Sequence, residues 1–210
     1  MPLVCPKCGA YALQNVSHGT DSMTCSECSS ITPANIFPLF IITGTSGAGK
    51  TSVIPELRKQ LPECVIFDKD LLWGRCEQFY NSWLLIAFSI AQSGRHTVIC
   101  GTIMPWDLEA CEERHLVGTI HFLSLHCNDE AREQRLRARP AWRQSSSDEF
   151  ISAHQQFAQW LLDNASTKYD PPMQTIDTSN NSVEEVAQAI AQWVMTVLEG
   201  KPTKEPSSLS

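Results

Sequence analysis

A glycine-rich segment carries the clearest chemistry in the sequence. It reads Gly44-Thr45-Ser46-Gly47-Ala48-Gly49-Lys50-Thr51 and matches the Walker A pattern in full. Glycines let the backbone approach a phosphate closely, and the freed N–H groups and the N-terminus of the next helix point at the anion. We expect Lys50 to reach the β- and γ-phosphates and the Thr51 hydroxyl to bind Mg²⁺. The segment therefore predicts a site for a nucleoside triphosphate.

Four cysteines near the start of the chain have the spacing of a metal site. Cys5 and Cys8 form one CxxC pair, Cys25 and Cys28 form another, and sixteen residues separate the pairs. This spacing predicts a four-cysteine Zn²⁺ site with a hairpin between the pairs. Four thiolates leave no open position on zinc, so we expect a structural ion. A redox CxxC is the alternative, but it requires one pair beside a βαβ unit.

Length and composition favour one ordinary domain with a small additional module. The chain has 210 residues, 42% hydrophobic, and its net charge of -7 gives no general attraction to nucleic acid or an anionic membrane. No apolar run reaches the roughly 18 residues of a membrane span. The first residues lack the pattern of a signal peptide, so we expect a cytoplasmic protein. We predict a zinc ribbon over residues 1–34, a nucleotide-binding domain over 35–200 and a disordered polar tail over 201–210.

The elements around the Walker segment alternate between apolar strands and amphipathic helices. We predict helices over about Lys50 to Gln60 and Leu71 to Gln92, with further helices later in the chain. Strands are expected to end at Thr43, Phe67, Cys100 and Leu125, with a last short strand over Gln174 to Asp177. This alternation predicts an α/β fold with a parallel sheet, whose ligands bind at the carboxyl ends of the strands.

Asp68 and Asp70 follow the second strand and can face the same cleft. One carboxylate could hold Mg²⁺ through water, and the other could accept the proton of a substrate hydroxyl. The alternative is a pair of solvated turn residues, with Asp70 capping the next helix. The two residues are therefore candidate catalytic groups whose separate roles stay open.

An arginine-rich stretch is the second candidate for phosphate chemistry. Arg135 and Arg139 are four residues apart on one predicted helix face, and Pro140 then places Arg143 on a mobile segment. Arginines that close over a triphosphate stabilise the transferred phosphoryl group and exclude water. The alternative is a solvated basic helix paired with Glu130 and Glu133, and it suits Arg132 and Arg137 better than Arg139 and Arg143.

Together these features resemble the small P-loop kinases of the adenylate kinase-like group, which includes shikimate, gluconate and nucleoside or nucleotide kinases. The resemblance covers about residues 37 to 198 and rests on the Walker motif, the Asp-x-Asp, the start of the arginine-rich lid and the turn after Asp177. It implies a three-layer fold with a parallel five-stranded sheet of order 2-3-1-4-5, counted from the Walker strand. It also implies ATP and Mg²⁺ as ligands.

The resemblance also assigns roles to individual residues. It implies that Arg135 lies near adenine, that Arg139 lies near the phosphates, and that the turn at Asp177 and Thr178 contacts adenine. Asp70 matches the substrate aspartate of the shikimate kinase pattern, and Asp68 the aspartate on the Mg²⁺ side. The glycine triplet of shikimate kinase is absent after the third strand, so shikimate is not the expected acceptor.

Three functions remain open at this point. The first is a kinase that transfers the γ-phosphoryl group of ATP to a small metabolite, with a nucleoside or nucleotide acceptor if Trp73, Tyr80 and Trp83 stack a base. At helical spacing these aromatics more often belong to a core. The second is a nucleotide-dependent regulatory module whose ribbon contacts a partner or nucleic acid. The third is a polynucleotide end kinase, which the acidic composition disfavours. The sequence does not predict the oligomeric state.

Overall fold

The computed structural model describes residues 4–11 and 15–200, and the predicted tail over residues 201–210 lies outside them. The strands are β1 Asn15–Ser17, β2 Ser22–Thr24, β3 Ile31–Pro33, β4 Leu39–Gly44, β5 Cys64–Asp68, β6 His96–Cys100, β7 Ile120–His126 and β8 Gln174–Asp177. The α-helices are α1 Ile54–Gln60, α2 Phe79–Ala91, α3 Pro105–Glu109, α4 Asp129–Arg137, α5 Asp148–Lys168 and α6 Val183–Leu198. Short 3-10 helices cover Lys69–Leu72, Glu112–Leu116 and Ala141–Arg143.

The larger sheet has five parallel strands in the order β5-β6-β4-β7-β8. Counted from β4, the Walker strand, this order is 2-3-1-4-5, as predicted. All six residues of β4 are buried, which explains why its sequence is continuously apolar rather than alternating. The α/β fold class is therefore confirmed.

Helices cover both faces of this sheet. On one face, Phe40 and Ile42 of β4 pack with Leu57 of α1 and Ile190 of α6. On the other, Leu39 and Ile41 belong to a cluster with buried side chains of α2, α3 and α5. Because side chains alternate along a strand, one apolar strand supplies both layers of the core. The result is a three-layer architecture with β4 at its centre.

The first 34 residues contain a small antiparallel sheet of order β1-β2-β3, and β1 and β2 form the expected hairpin. Met23 and Ala34 pack in one apolar cluster with Phe88 of α2 and Leu116. The His18 Nε2 atom also lies 2.7 Å from the carbonyl oxygen of His115. These contacts join the small sheet to the amino-terminal end of the larger one.

Two helix boundaries differ from the sequence prediction. α1 begins at Ile54 rather than near Lys50, because Pro55 lacks an N–H and is tolerated only in the first turn of a helix. The predicted helix from Leu71 to Gln92 is wrong over its first third. There the chain forms a 3-10 helix, then turns at Gly74 with φ of 68°, and α2 begins only at Phe79. In the described part of the chain, no helix is long and apolar enough to cross a membrane.

Candidate active site

The Walker segment forms a tight loop at the carboxyl end of β4. Gly44 and Gly47 have positive φ angles, 131° and 87°, which L side chains rarely adopt. A Cβ atom at Gly44 would also overlap the carbonyl oxygen of Leu125 on β7. The Thr102 hydroxyl, from the segment after β6, donates a 2.8 Å hydrogen bond to the Gly44 carbonyl. The loop is therefore held between the ends of the two strands that flank β4.

Lys50 bridges the loop from the inside. Its Nζ atom donates hydrogen bonds to the carbonyl oxygens of Gly44 at 2.8 Å and Thr45 at 2.7 Å. An ammonium group has three donors, so one is left for a phosphate. Removal of the ammonium from water, together with repulsion from Arg139 and Lys69, lowers the pKa of Lys50 to about 7. A bound triphosphate would counteract both effects because it supplies negative charge.

Thr51 and Asp68 form an oxygen-rich pair beside the loop. The Thr51 hydroxyl donates a 2.8 Å hydrogen bond to Oδ2 of Asp68, and Asp68 Oδ1 accepts one of 2.8 Å from the Asp70 backbone N–H. Asp68, rather than Asp70, is therefore the residue that caps the Lys69–Leu72 helix. A hydroxyl and a carboxylate are the oxygen ligands that Mg²⁺ prefers, so the residues present fit this ion.

The side chain of Asp70 is paired with the arginine-rich segment. Arg143 Nη1 lies 3.7 Å from Asp70 Oδ2, and both side chains are nearly half exposed. Repulsion from Arg143 adds to burial in lowering the pKa of Arg139, whereas Asp70 raises it. Arg139, Arg143 and Asp70 therefore lie close enough to interact.

Arg135 and Thr178 line the other end of the cleft. Arg135 donates hydrogen bonds to the carbonyl oxygens of Gly47 and Thr178, at 3.2 and 2.7 Å. The Thr178 hydroxyl donates to the Ala48 carbonyl at 3.1 Å, so this turn is fastened to the Walker loop. Asp177 is exposed, and its carboxylate accepts from the Ser179 N–H at 2.6 Å, which shapes the turn.

A cavity of about 410 Å³ runs between these elements. Arg135, Arg139 and Thr178 line it together with the apolar side chains of Val53, Val183 and Val186. A cavity of this size with apolar walls and a few polar groups at one end is suited to a flat heterocycle. It opens directly beside Gly47 and Gly49 of the Walker loop.

Charge around the cleft differs from that of the whole chain. Among the residues described at the cleft, five cations accompany three carboxylates, although the net charge of the chain is -7. The cations are Lys50, Lys69, Arg135, Arg139 and Arg143, and the carboxylates are Asp68, Asp70 and Asp177. Such a local excess of positive charge attracts anionic ligands and raises their rate of association.

The four cysteines converge on one point in the N-terminal module. Their Sγ atoms all lie within 4.8 Å of one another, with Cys5 to Cys28 at 3.7 Å and Cys8 to Cys25 at 3.8 Å. Tetrahedral zinc with Zn–S bonds of about 2.3 Å places sulfur atoms about 3.8 Å apart, so the cluster fits zinc. The Ser30 hydroxyl lies 3.3 Å from Cys5 Sγ, and its hydrogen bond lowers the pKa of Cys5 to about 6.

Comparisons with known proteins agree with this architecture. No protein-family model matches the sequence, and no curated protein matches it. Among solved structures, a sugar kinase from Janibacter sp. HTCC2649 superposes with a TM-score of 0.55 at 13% identity, covering 80% of this chain and 99% of that one. A gluconokinase from Sinorhizobium meliloti 1021 gives 0.53 at 13% identity, covering 78% and 94%. The chain has the fold of the small P-loop kinases.

Within this P-loop kinase fold, Arg132 has a position that the sequence did not predict. Its side chain is fully buried beneath the Walker loop. The interpretation of Arg132 as a solvated residue is therefore wrong. Nε donates to the Thr45 hydroxyl at 3.2 Å, Nη1 to Asp129 at 2.5 Å and Nη2 to the Cys127 carbonyl at 2.6 Å. Arg137 is solvated as expected and pairs with Glu133 and Asp148.

His154 of α5 is a further residue at the Walker loop. Its Nδ1 atom accepts a 3.4 Å hydrogen bond from the backbone N–H of Ser46. Burial and the nearby cations Lys50, Arg132 and Arg139 lower the pKa of His154 to about 4, which keeps the imidazole neutral. The signal available in the sequence is a histidine on an otherwise apolar helix face that follows the arginine-rich stretch.

Proposed function

We propose that this chain is an ATP- and Mg²⁺-dependent phosphotransferase that acts on a hydroxyl group of a small metabolite. The observation that carries the proposal is the presence of two adjoining groups at the carboxyl end of the sheet, Lys50 with Thr51 and Asp68, and Asp70 with Arg143. Nucleotide-dependent phosphotransfer also agrees with the kinase fold. The first group is suited to hold the donor, and the second faces the place that an acceptor would occupy.

Each residue of the cleft then has a chemical role. The Walker loop amides and Lys50 bind the β- and γ-phosphates, and Arg139 and Arg143 stabilise the charge that spreads over the transferred group. Thr51 and Asp68 would hold Mg²⁺, which neutralises phosphate charge when bound. Asp70 orients the acceptor hydroxyl and accepts its proton. Arg135, Thr178 and the turn at Asp177 border the cavity for adenine.

Release of ADP from Mg-ATP, measured across nucleosides, nucleotides and sugar acids, tests the proposal. We expect one class of small molecule to stimulate release. If none does while a nucleic acid or a protein partner does, the proposal is wrong. The alternative, a nucleotide-dependent regulatory protein whose zinc ribbon binds that partner, would then replace it.

Two substitutions separate the roles of the donor and acceptor sides. Lys50→Ala should lose nearly all transfer because the γ-phosphate loses its cation. Asp70→Asn should lose turnover while ATP binding, measured by calorimetry, is retained, because Asp70 does not contact the Walker loop. A collapse of ATP affinity in Asp70→Asn would show that its role is assigned wrongly.

We also propose that the N-terminal cysteines hold one structural Zn²⁺ ion. The sulfur spacing supports this proposal, and four thiolate ligands leave no position for a substrate. Metal analysis of the purified protein should find one zinc per chain. A folded protein that is free of metal would contradict this part of the proposal.

A further inference from the structure

Two tryptophans beside the Asp70–Arg143 pair are exposed. Trp73 follows Asp70 by three residues and is 66% exposed, and Trp142 precedes Arg143 and is 73% exposed. Trp83, in contrast, is fully buried, so the core interpretation holds for Trp83 and is wrong for Trp73. Exposed indoles that cluster at a cleft usually mark a surface that binds a ligand or a partner.

Each exposed indole has a cation over its ring. Lys69 Nζ lies 5.1 Å from the centroid of Trp73, and the Arg143 guanidinium carbon lies 4.7 Å from that of Trp142. The 3.7 Å contact between Asp70 and Arg143 joins the two segments that carry these indoles. The two segments that meet at the Asp70–Arg143 contact therefore carry two exposed rings, two cations and one carboxylate.

The position of Lys69 is set by the sheet. A Cβ atom at Gly101 would overlap the Cβ, Cγ and Cδ atoms of Lys69, so the lysine stem lies directly across the carboxyl end of β6. Only glycine at position 101 leaves room for it. The ammonium group then extends to Trp73 and to Phe79, whose ring centroid is 5.6 Å away. Packing against the end of β6 therefore holds the Lys69 side chain in place, unlike that of a mobile surface lysine.

We infer that the acceptor is a nucleotide whose base stacks on Trp73 or Trp142, whose phosphate pairs with Lys69 and Arg143, and whose sugar hydroxyl faces Asp70. The inference rests on the proposed phosphotransferase function and adds the class of acceptor to it. Indole rings bind the flat faces of bases, and guanidinium and ammonium groups bind phosphate. A sugar acid offers an anion but no flat ring that could stack on the exposed surface of either indole.

In the resulting step, the hydroxyl oxygen of the acceptor forms a bond to the γ-phosphorus of ATP. The bond from that phosphorus to the β–γ bridging oxygen breaks, ADP leaves with the bonding electrons, and the hydroxyl proton passes to the Asp70 carboxylate. The products are a nucleotide with one additional phosphate ester, ADP and a proton. No oxidant or reductant takes part.

The test combines an acceptor panel with paired substitutions at each indole. The panel contains ribonucleosides, their 5′- and 3′-monophosphates, sugar acids and a short oligonucleotide, and ADP release is measured with Mg-ATP. Trp73→Leu and Trp142→Leu keep apolar bulk but remove the aromatic face, whereas Trp73→Phe and Trp142→Phe keep a smaller one. We expect a mononucleotide to be accepted and at least one leucine variant to raise its KM by about tenfold or more, with a smaller rise for phenylalanine.

ATP affinity should stay unchanged in all four variants, and Tyr11→Leu, which removes an exposed ring from the N-terminal module, serves as the control. If a sugar acid or the oligonucleotide is the acceptor, the inferred class is wrong while phosphotransfer stands. If a nucleotide is accepted with unchanged KM in both leucine variants, the indole subsite is wrong. If no compound stimulates ADP release, the proposed function itself fails.

Discussion

The lowered pKa of Lys50 predicts that nucleotide binding is linked to proton uptake. In the free protein this pKa is lowered from 10.5 to about 7, so the Lys50 amine is mostly neutral at pH 8.5 and mostly charged at pH 6. A bound triphosphate favours the ammonium form and raises the pKa again. Binding of Mg-ATP should therefore take up close to one proton at pH 8.5 and almost none at pH 6, and affinity should fall as pH rises above about 7.

Calorimetry in buffers of different protonation enthalpy measures this uptake. Lys50→Arg is the matched control because a guanidinium stays charged over the whole range, so its uptake should be close to zero at both pH values. If proton uptake is equal at pH 6 and pH 8.5, or persists in Lys50→Arg, then a group other than Lys50 takes up the proton.

His154 occupies an N–H group that a phosphate would use. The Ser46 backbone N–H belongs to the Walker loop and donates to His154 Nδ1 in this structure. Because a phosphate must compete for this donor, His154→Ala should bind ATP about two- to tenfold more tightly, the value of one ordinary hydrogen bond. Gln156→Ala, on the exposed face of the same helix, should not change affinity. Weaker ATP binding in His154→Ala would show that the histidine supports the nucleotide.

Helix α4 supports the Walker loop through one buried side chain. Arg132 fills the space beneath Gly47, where an added Cβ would lie 3.1 Å from its Cγ atom, and it satisfies the Thr45 hydroxyl and the Cys127 carbonyl. Arg132→Ala should lower the free energy of unfolding by about 3 kcal/mol or more, because it leaves a cavity and unpaired polar atoms. Urea denaturation measures the change.

Arg137, five residues later on α4, provides the control for this prediction. Its ion pairs with Glu133 and Asp148 are exposed, so Arg137→Ala should change stability little. Similar stability losses in the two variants would mean that burial of Arg132 does not matter. If Arg132→Ala leaves stability unchanged but weakens ATP binding, then Arg132 acts only on the conformation of the Walker loop.

The same helix shows where sequence reasoning reaches its limit. The spacing of Arg135 and Arg139 predicted a shared helix face, but α4 ends at Arg137, and Arg139 reaches the same cavity from the segment beyond the helix. Burial of Arg132 depends on Thr45, a partner 87 positions away in the chain, so local periodicity could not reveal it. The irregular segment before α2 had a local signal in the sequence, because Gly74 has a positive φ angle and interrupts the helix. The helical spacing of the surrounding aromatic residues led to the wrong prediction of a continuous helix.

Over the whole molecule, the alternation of buried strands and helices predicted a parallel α/β sheet, whereas the strand order came from the resemblance to the small P-loop kinases. The Walker motif then fixed which strand lies at the centre of the active site. The proposed acceptor surface was not predictable in the same way, since exposure of Trp73 and Trp142 depends on how two distant segments meet at Asp70 and Arg143. Pattern analysis finds the donor half of such a site more readily, because a phosphate loop is continuous in sequence and the acceptor half is not.

The four-cysteine module and the Walker loop lie at opposite ends of β4, and this separation bears on what the module does. The chain enters β4 at Leu39 directly from the module, and the phosphate loop begins after Gly44, six residues or about 20 Å further on. The module contacts α2 and the Glu112–Leu116 helix, and the shared cluster includes Met23 and Phe88. It is therefore positioned to stabilise the fold rather than to contact ATP.

Replacement of one cysteine pair tests this separation. Cys25→Ser with Cys28→Ser should lose the bound zinc and unfold the module, and thermal unfolding should begin at lower temperature because the cluster around Phe88 loses Met23. The KM for ATP should stay within about twofold, as for changes at distant independent sites. Metal analysis, calorimetric melting and steady-state kinetics on one preparation give the three readings. A large rise in the KM for ATP in a protein whose larger domain stays folded would show that the zinc module acts on the nucleotide site through α2.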